Sequence, residues 1–255
     1  MIPKIIHYCW LSNDPMPKKI KDYINSWKKN LPDYDFICWN FDKFNKNSSL
    51  WVQQAFDNKK YAFAADYIRL YALYNYGGIY LDTDVEVLKP FDDFLNLKTM
   101  ICFENSEDNR LEVATLGVEK HSQWIKDCLA YYEKRSFIKN DGTFDTQVLP
   151  LIVKDMIMKN NYTIQPVYSI NEANTFSKEL IPVFPYFYFS PKSYSTGKIE
   201  SNEKTISIHH FAGSWKPWFV RIEDSFWQKF HLFNPHILLR LYNLFKHGSL
   251  RQFPH

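Results

Sequence analysis

The sequence predicts an α/β protein in which helices pack on both faces of a central sheet. Three observations carry this. Short apolar runs of strand length alternate with stretches of helical periodicity along the chain. The strongest helical pattern, residues 62–76, stops at Gly77-Gly78 and leads directly into an apolar run at Ile79–Leu81. That run and its counterpart at Lys4–Trp10 (KIIHYCW) have the continuous apolar character of strands buried in a sheet.

Taken in order, Lys4–Trp10 is the first strand and Ser12–Pro17 a polar loop. Lys18–Lys29 is an amphipathic helix with Ile20, Ile24 and Trp27 on one face, and Asp35–Trp39 is the second strand. Asp42–Asn58 is polar and suits short helices. In the helix over Ala62–Tyr76 the apolar residues Phe63, Tyr67, Leu70, Tyr71 and Tyr74 recur at helical spacing. Ile79–Leu81 is a brief buried strand that delivers Asp82-Thr83-Asp84 at its end, and Val85–Leu88 is a further strand stopped by Pro90. Met100–Phe103, Val113–Val118 and Thr205–His209 are strands; His121–Lys134 and Thr146–Lys159 are helices. The chain divides into a main domain, 1–223, and a helical, aromatic and basic C-terminal extension, 224–255.

Composition narrows the function classes. The chain is 45% hydrophobic and 23% charged, which excludes a disordered chain. A net charge of +3 is too small for nucleic acid to be the main partner. Aromatic content of 18% suits stacking on planar ligands as well as a core. Cys9, Cys38, Cys102 and Cys128 form no metal spacing and are expected as thiols in a reducing compartment. The N-terminus lacks the basic start and long apolar core of a signal peptide, and no apolar stretch reaches the ~18 residues of a membrane span. A cytoplasmic location is the expectation.

Asp82 and Asp84 flank a single Thr at a strand end, which offers carboxylate oxygens to a hard divalent cation. A cation there would bridge and neutralise a diphosphate leaving group. A bare Asp-x-Asp is also a common solvated turn; the helix, double glycine and buried strand leading to it favour the chemical reading. Asp66 and Arg69 lie three apart on the preceding helix and share a face with small and apolar neighbours. They suit either a plain ion pair or contacts to sugar and ribose hydroxyls.

The stretch Ala64-Ala65-Asp66-Tyr67-Ile68-Arg69 followed by Tyr76-Gly77-Gly78-Ile79-Tyr80-Leu81-Asp82-Thr83-Asp84 resembles the signature of glycosyltransferase family 32. The N-terminal Ile2–Trp10 and Ser26-Trp27 resemble that family's bacterial, capsular polysaccharide members, and the same spacing marks the glucosyltransferase domains of large clostridial toxins. The resemblance implies a GT-A fold, Rossmann-like, with a mixed central sheet and here a helical C-terminal tail. It implies a nucleotide-sugar donor, Mn2+ or Mg2+, retention at the anomeric carbon and a role in polysaccharide biosynthesis. It also implies that Trp10 stacks on the donor base and that Tyr8, on the same strand, lies at the substrate. Asp66 and Arg69 would touch ribose and donor sugar, and Asp82 and Asp84 would hold the metal. On residues alone, Trp10 reads as a core tryptophan.

A second segment, His209-His210-Phe211-Ala212-Gly213-Ser214-Trp215-Lys216-Pro217-Trp218, follows the strand carrying Ile206 and Ile208. A strand-end His is a natural metal ligand, Gly213 permits close backbone approach to a phosphate, and Lys216 supplies a point charge. The segment is similar to the metal-His, Gly and Lys-Pro-Trp run of family 8 galactosyltransferases, whose offsets select His210 as the third metal ligand. Gly213, Trp215 and Lys216 are then expected at the donor. Adjacent strand residues point opposite ways, so only one of the two histidines faces the cleft. Asp145-Thr146-Gln147 reads locally as a helix N-cap, and by resemblance Asp145 and Gln147 face the anomeric carbon.

These readings predict a retaining hexosyltransferase using UDP-galactose or UDP-glucose with a saccharide or lipid-linked saccharide acceptor. The competing classes are a non-catalytic sugar-binding protein and an Asp-x-Asp phosphohydrolase. The latter expects Thr or Val where this chain has Glu86. The C-terminal stretch Phe226–Phe245 reads either as a helix packed on the catalytic domain or as a basic, apolar surface for the inner face of a membrane.

Overall fold

The computed structural model describes residues 1–104, 110–174, 179–213, 216, 218–230, 237–238 and 241–242. Two compact units emerge, one of Met1–Pro191 with Ser201–His210, the other of Lys192–Glu200 with Phe211–His255. The boundary expected after residue 223 falls inside a helix of the second unit.

In the first unit the elements run β1 (Ile5–Cys9), α1 (Lys18–Asn30), β2 (Asp35–Trp39), α2 (Leu50–Asp57), α3 (Tyr61–Tyr76), β3 (Gly78–Leu81), β4 (Val85–Val87), β5 (Thr99–Phe103), β6 (Leu111–Val118), α4 (Gln123–Ala130), α5 (Leu149–Lys159), β7 (Thr163–Pro166), α6 (Ile170–Ala173), β8 (Leu180–Val183) and β9 (Ser207–His209). The central sheet is mixed, in the order β2-β1-β3-β6-β5. β2, β1 and β3 are parallel, and β6 and β5 join antiparallel. β4 and β9 form a separate antiparallel pair, and β7 and β8 a parallel one. This is the mixed α/β arrangement with a mixed central sheet that was expected of a GT-A fold.

The sheet is buried on both sides because its strands are apolar on both faces. On β3, Tyr80 packs into the core that holds Trp51, Phe63 and Ile68 from α2 and α3. Its neighbours Ile79 and Leu81 point the other way, to Trp27 of α1 and to Phe94 and Phe184. This alternation on a fully buried strand explains why the sequence shows a continuous apolar run and not period two.

Three details set where β3 begins. Gly77 closes α3 at φ +66°, donating its N–H to Leu73 O at 2.9 Å. Gly78 has φ +102°, and a Cβ there would sit 2.6 Å from Ile5 O, so only glycine lets β3 start against β1. His7 on β1 is fully buried, with Nε2 2.8 Å from Gly77 O and Nδ1 accepting from Trp39 Nε1 at 3.2 Å. Burial pushes the His7 pKa down to about 4, so the ring is a neutral strut between β1, β2 and the glycine turn. On the far side of Asp82-Thr83-Asp84, α1 holds β4. Trp27 Nε1 donates to Val85 O at 2.7 Å, Val87 N donates to Ser26 Oγ at 3.0 Å, and Asn30 Nδ2 donates to Val87 O at 2.9 Å.

Several element bounds differ from expectation. β6 begins at Leu111 and so includes Glu112. α4 is shorter than His121–Lys134, since His121 stands at φ +61° before it. α5 begins at Leu149 with Val148 as its N-cap, so Asp145 does not cap it. β7 and β8, whose short runs each include a proline, lacked a clear sequence signal. No helix among the described residues is long and apolar enough to cross a membrane, and all four cysteines are free.

In the second unit α7 spans Trp218–Lys229. Asp224 on α7 accepts from Lys216 Nζ, which lies 4.6 Å from the centroid of the Tyr194 ring. Gly213 stands at φ +59°, and its carbonyl accepts from Lys216 N at 2.9 Å. Ile222, Phe226 and Phe230 are exposed.

Candidate metal and donor site

The site begins at the carboxyl end of the parallel strands. β1 and β3 pair with Ile6 opposite Ile79 and His7 opposite Tyr80. Continuing that register brings Cys9 level with Asp82, so Trp10 and the Asp-Thr-Asp turn leave the sheet at the same edge. Open α/β sheets bind ligands at this edge.

Asp82, Asp84 and His209 each offer one ligand atom here, all within 4.8 Å of one another. Ligands on one octahedral cation at ~2.0–2.2 Å lie ~3 Å apart when cis and ~4.4 Å apart when trans, so the three side chains are within small side-chain adjustments of a shared ion. Two carboxylates and an imidazole suit Mn2+ or Mg2+ chemically, with the carboxylates dominant. The donor set and spacing therefore fit a divalent cation.

The third side chain of this cluster is His209, where the histidine segment pointed to His210. The antiparallel pairing of β4 and β9 places His209 opposite Val85, the residue after Asp84. His209 Nε2 lies 3.6 Å from Asp84 Oδ1, and Nδ1 lies 3.0 Å from Glu112 Oε2. His210 faces the other way, as strand alternation requires, with Nε2 2.9 Å from Glu86 Oε2 and its ring stacked 4.6 Å from Tyr23. Alternation separates the two histidines; the motif offsets pointed to His210, while the register across β4–β9 brings His209 to the turn.

Arg69 braces the cluster from behind. Its NH2 donates to Asp82 Oδ1 at 2.7 Å and lies 3.5 Å from Asp66 Oδ1, and its NH1 donates to Val113 O at 2.7 Å. The guanidinium lies 4.4 Å from the centroid of the Tyr80 ring, and its Nε is buried without a hydrogen-bond partner. The alternative of a solvated ion pair is thereby removed: Arg69 is 4% exposed, and it joins Asp66 to Asp82.

Burial pushes Asp66 up to about 7, with Arg69 opposing and Asp82 adding to the rise. Burial also raises Asp82, against the pull of Arg69 and with the push of Asp84. Burial acts to lower His209, but Glu112 and Asp84 outweigh it and hold the ring well above the ordinary imidazole range. Burial acts to raise Glu112, but the His209 charge and hydrogen bond win and hold it below its ordinary value.

Tyr8 is half-buried, edge-on to Trp27 at 5.4 Å, and burial raises its phenol to about 12. Trp10 is half-buried, not a core side chain; its Nε1 donates to Asp14 O at 3.0 Å. Asp145 and Gln147 bond to Arg135, Tyr131 and Asp155. Asp145 accepts from Arg135 at 2.8 Å, while Gln147 accepts from Tyr131 at 3.4 Å and donates to Asp155 at 3.3 Å. Gly213 and Lys216 belong to the second unit, where Lys216 is held by Asp224. Trp215 lies outside the described residues. The residue missed entirely is Glu112. Its signal was present as one carboxylate inside the apolar run Leu111–Leu116, and a buried charge demands a partner.

Over residues 17–101 the chain matches the family described as the glycosyltransferase sugar-binding region containing a DXD motif. Inositol phosphoceramide mannosyltransferase 1 of Schizosaccharomyces pombe is 33% identical over 108 residues, covering 39% of this chain and 33% of the relative. Mannosyl phosphorylinositol ceramide synthase SUR1 of Saccharomyces cerevisiae is 34% identical over 151 residues, covering 54% of this chain and 37% of the relative. Glucan organizing enzyme 1 of Cryptococcus neoformans reaches 50% identity over 83 residues, which are 29% of this chain and 23% of the relative. The chain thus spans about a third of the length of the curated relatives it matches. A solved structure, the PaToxG glycosyltransferase, aligns with a TM-score of 0.46 at 21% identity, covering 62% of this chain and 70% of that one.

Proposed function

We propose that the chain is a metal-dependent hexosyltransferase that moves a sugar from a nucleotide sugar to a saccharide or lipid-linked saccharide acceptor. One observation carries the reading: the clustering of Asp82, Asp84 and His209 at the carboxyl end of β3, with a buried arginine bonded to the first carboxylate. Asp82, Asp84 and His209 would hold Mn2+ or Mg2+, which when bound neutralises a diphosphate as it leaves.

The chain's own residues do the rest. Arg69 fixes the Asp82 carboxylate through one oxygen and leaves the other for the cation. Asp66, carried by the same helix turn, is suited to accept a hydrogen bond from a donor-sugar or ribose hydroxyl. Trp10, leaving the sheet at the same edge, is suited to stack on the base. Retention of configuration is carried over from the family 32 resemblance.

The family resemblance points to UDP-galactose or UDP-glucose, and relatives named mannosyltransferases make GDP-mannose the further donor to try. The test is nucleotide release from these three donors with Mn2+, with Mg2+ and with chelator. Cation-dependent release from one of them, lost in Asp82→Asn/Asp84→Asn, is the expected result. Release of phosphate from simple phosphomonoesters instead would indicate a phosphohydrolase, and donor binding without turnover on any acceptor would indicate a sugar-binding protein.

For the second unit, exposed Ile222, Phe226 and Phe230 beside Arg221 and Lys229 support contact with an anionic membrane face. Truncation after Ser225 should abolish cosedimentation with phosphatidylserine vesicles; unchanged sedimentation would remove the membrane reading.

A further inference from the structure

We propose that Glu112 is the positioning residue that turns His209 toward the cation, and that residues 112–114 of β6 are the common brace of the whole cluster. This rests on the reading of Asp82, Asp84 and His209 as a cation site. The match to the sugar-binding region ends at residue 101, so this brace lies outside it.

An imidazole has two nitrogens and can give a lone pair from only one while the other keeps its proton. His209 Nδ1 is 3.0 Å from Glu112 Oε2, and Nε2 faces Asp84 Oδ1 at 3.6 Å. A carboxylate can only accept, so Glu112, at the shorter of the two distances, keeps the proton on Nδ1, and Nε2 is the nitrogen that gives its lone pair to the cation once one binds. It also stops the ring from rotating the wrong nitrogen into the site. A carboxylate behind a metal-bound histidine raises the basicity of the ligand as well as orienting it.

Glu112 is itself held in place. It is 2% exposed, and its Oε1 accepts from Ala114 N at 2.6 Å. Its strand neighbours Leu111 and Val113 are core residues, where a carboxylate stabilises the fold less than an apolar side chain would. The next two residues of β6 hold the rest of the cluster. Val113 O accepts from Arg69 NH1, whose NH2 grips Asp82, and Ala114 O accepts from Asp82 N at 2.8 Å. Three consecutive residues of one strand thus orient the histidine, the arginine and the backbone of the first aspartate.

The experiment titrates Mn2+ into the full chain without donor and follows the free-ion signal by electron paramagnetic resonance. Glu112→Gln keeps size and removes charge, and should weaken Mn2+ binding roughly 10–100-fold, the usual cost of losing such an outer partner. Combined with His209→Gln, Glu112→Gln should weaken it no further, because a positioning residue acts only through the ring it positions. An effect of Glu112→Gln that persists undiminished without His209 would overturn the proposal, as would unchanged Mn2+ affinity in the single variant. Asp84→Asn serves as the separate control: if it too leaves Mn2+ binding unchanged, the cation site itself is wrong. Nitrogen chemical shifts of His209 in the wild-type chain loaded with diamagnetic Zn2+ give a second reading that needs no variant to fold. A proton on Nδ1 is expected, and a proton on Nε2 would overturn the proposal.

Discussion

Replacing Arg69 with alanine should cost both stability and the cation site. Arg69 is 4% exposed and bonds Asp82 and the Val113 carbonyl, each at 2.7 Å. Removing it strands the Asp82 carboxylate beside Asp84 and leaves a buried carbonyl without its donor. Breaking a buried pair by deleting one partner costs ~3–5 kcal/mol. The Asp82 side chain keeps 29% of its exposure, so water offsets part of the loss and the lower end, about 3 kcal/mol, is expected. In a chain of this size ~1 kcal/mol moves the melting temperature by roughly 2–4 °C, so Arg69→Ala should melt about 6–12 °C lower. Urea unfolding at pH 7.5, followed by tryptophan fluorescence, measures the free energy directly. The gap to wild type should narrow toward pH 4, because Asp82 then neutralises by protonation in the variant. A loss under ~1 kcal/mol at pH 7.5, or a gap that does not shrink in acid, would refute the view that Arg69 compensates these carboxylates.

The remaining predictions concern the histidines and the glycine turn. His209→Ala should abolish Mn2+-dependent donor binding in calorimetry, while His210→Ala, which loses the Glu86 contact and the Tyr23 stack, should cost ~1 kcal/mol of stability and spare binding; the opposite pattern would return the ligand role to His210. His7 has a folded pKa of about 4 against 6.5 unfolded, so it contributes stability that is full above 6.5 and is lost as pH falls toward 4. About 2.5 units at ~1.36 kcal/mol each make this ~3 kcal/mol, so His7→Phe should lose that part of the pH dependence between 6.5 and 4; unaltered acid sensitivity would show that His7 is not the group. Gly78→Ala should cost at least about 2 kcal/mol, from its positive φ and a Cβ 2.6 Å from Ile5 O, and a melting temperature within a degree of wild type would contradict the close approach of β3 to β1.

What the sequence determined by itself is whatever rests on local chemistry. Helical spacing over residues 62–76, two glycines that alone tolerate the turn, and an apolar strand too short to do more than end in Asp82 were all legible without a partner. So was the rule that one of His209 and His210 faces the cleft, since alternation is a property of any strand. Which of the two it is depends on β9 pairing with β4 across more than a hundred residues, and no spacing within the histidine segment encodes that register. The same limit hid Glu112. In the chain it is one acid in an apolar run; only when β6 lies beside β3, and β9 brings His209 to it, does a buried carboxylate become the partner that orients a ligand. Asp66 and Arg69 show the boundary between the two. Their shared helix face is local, but the burial that raises Asp66 to about 7 and bonds Arg69 to Asp82 and Val113 comes from the sheet packed against that face.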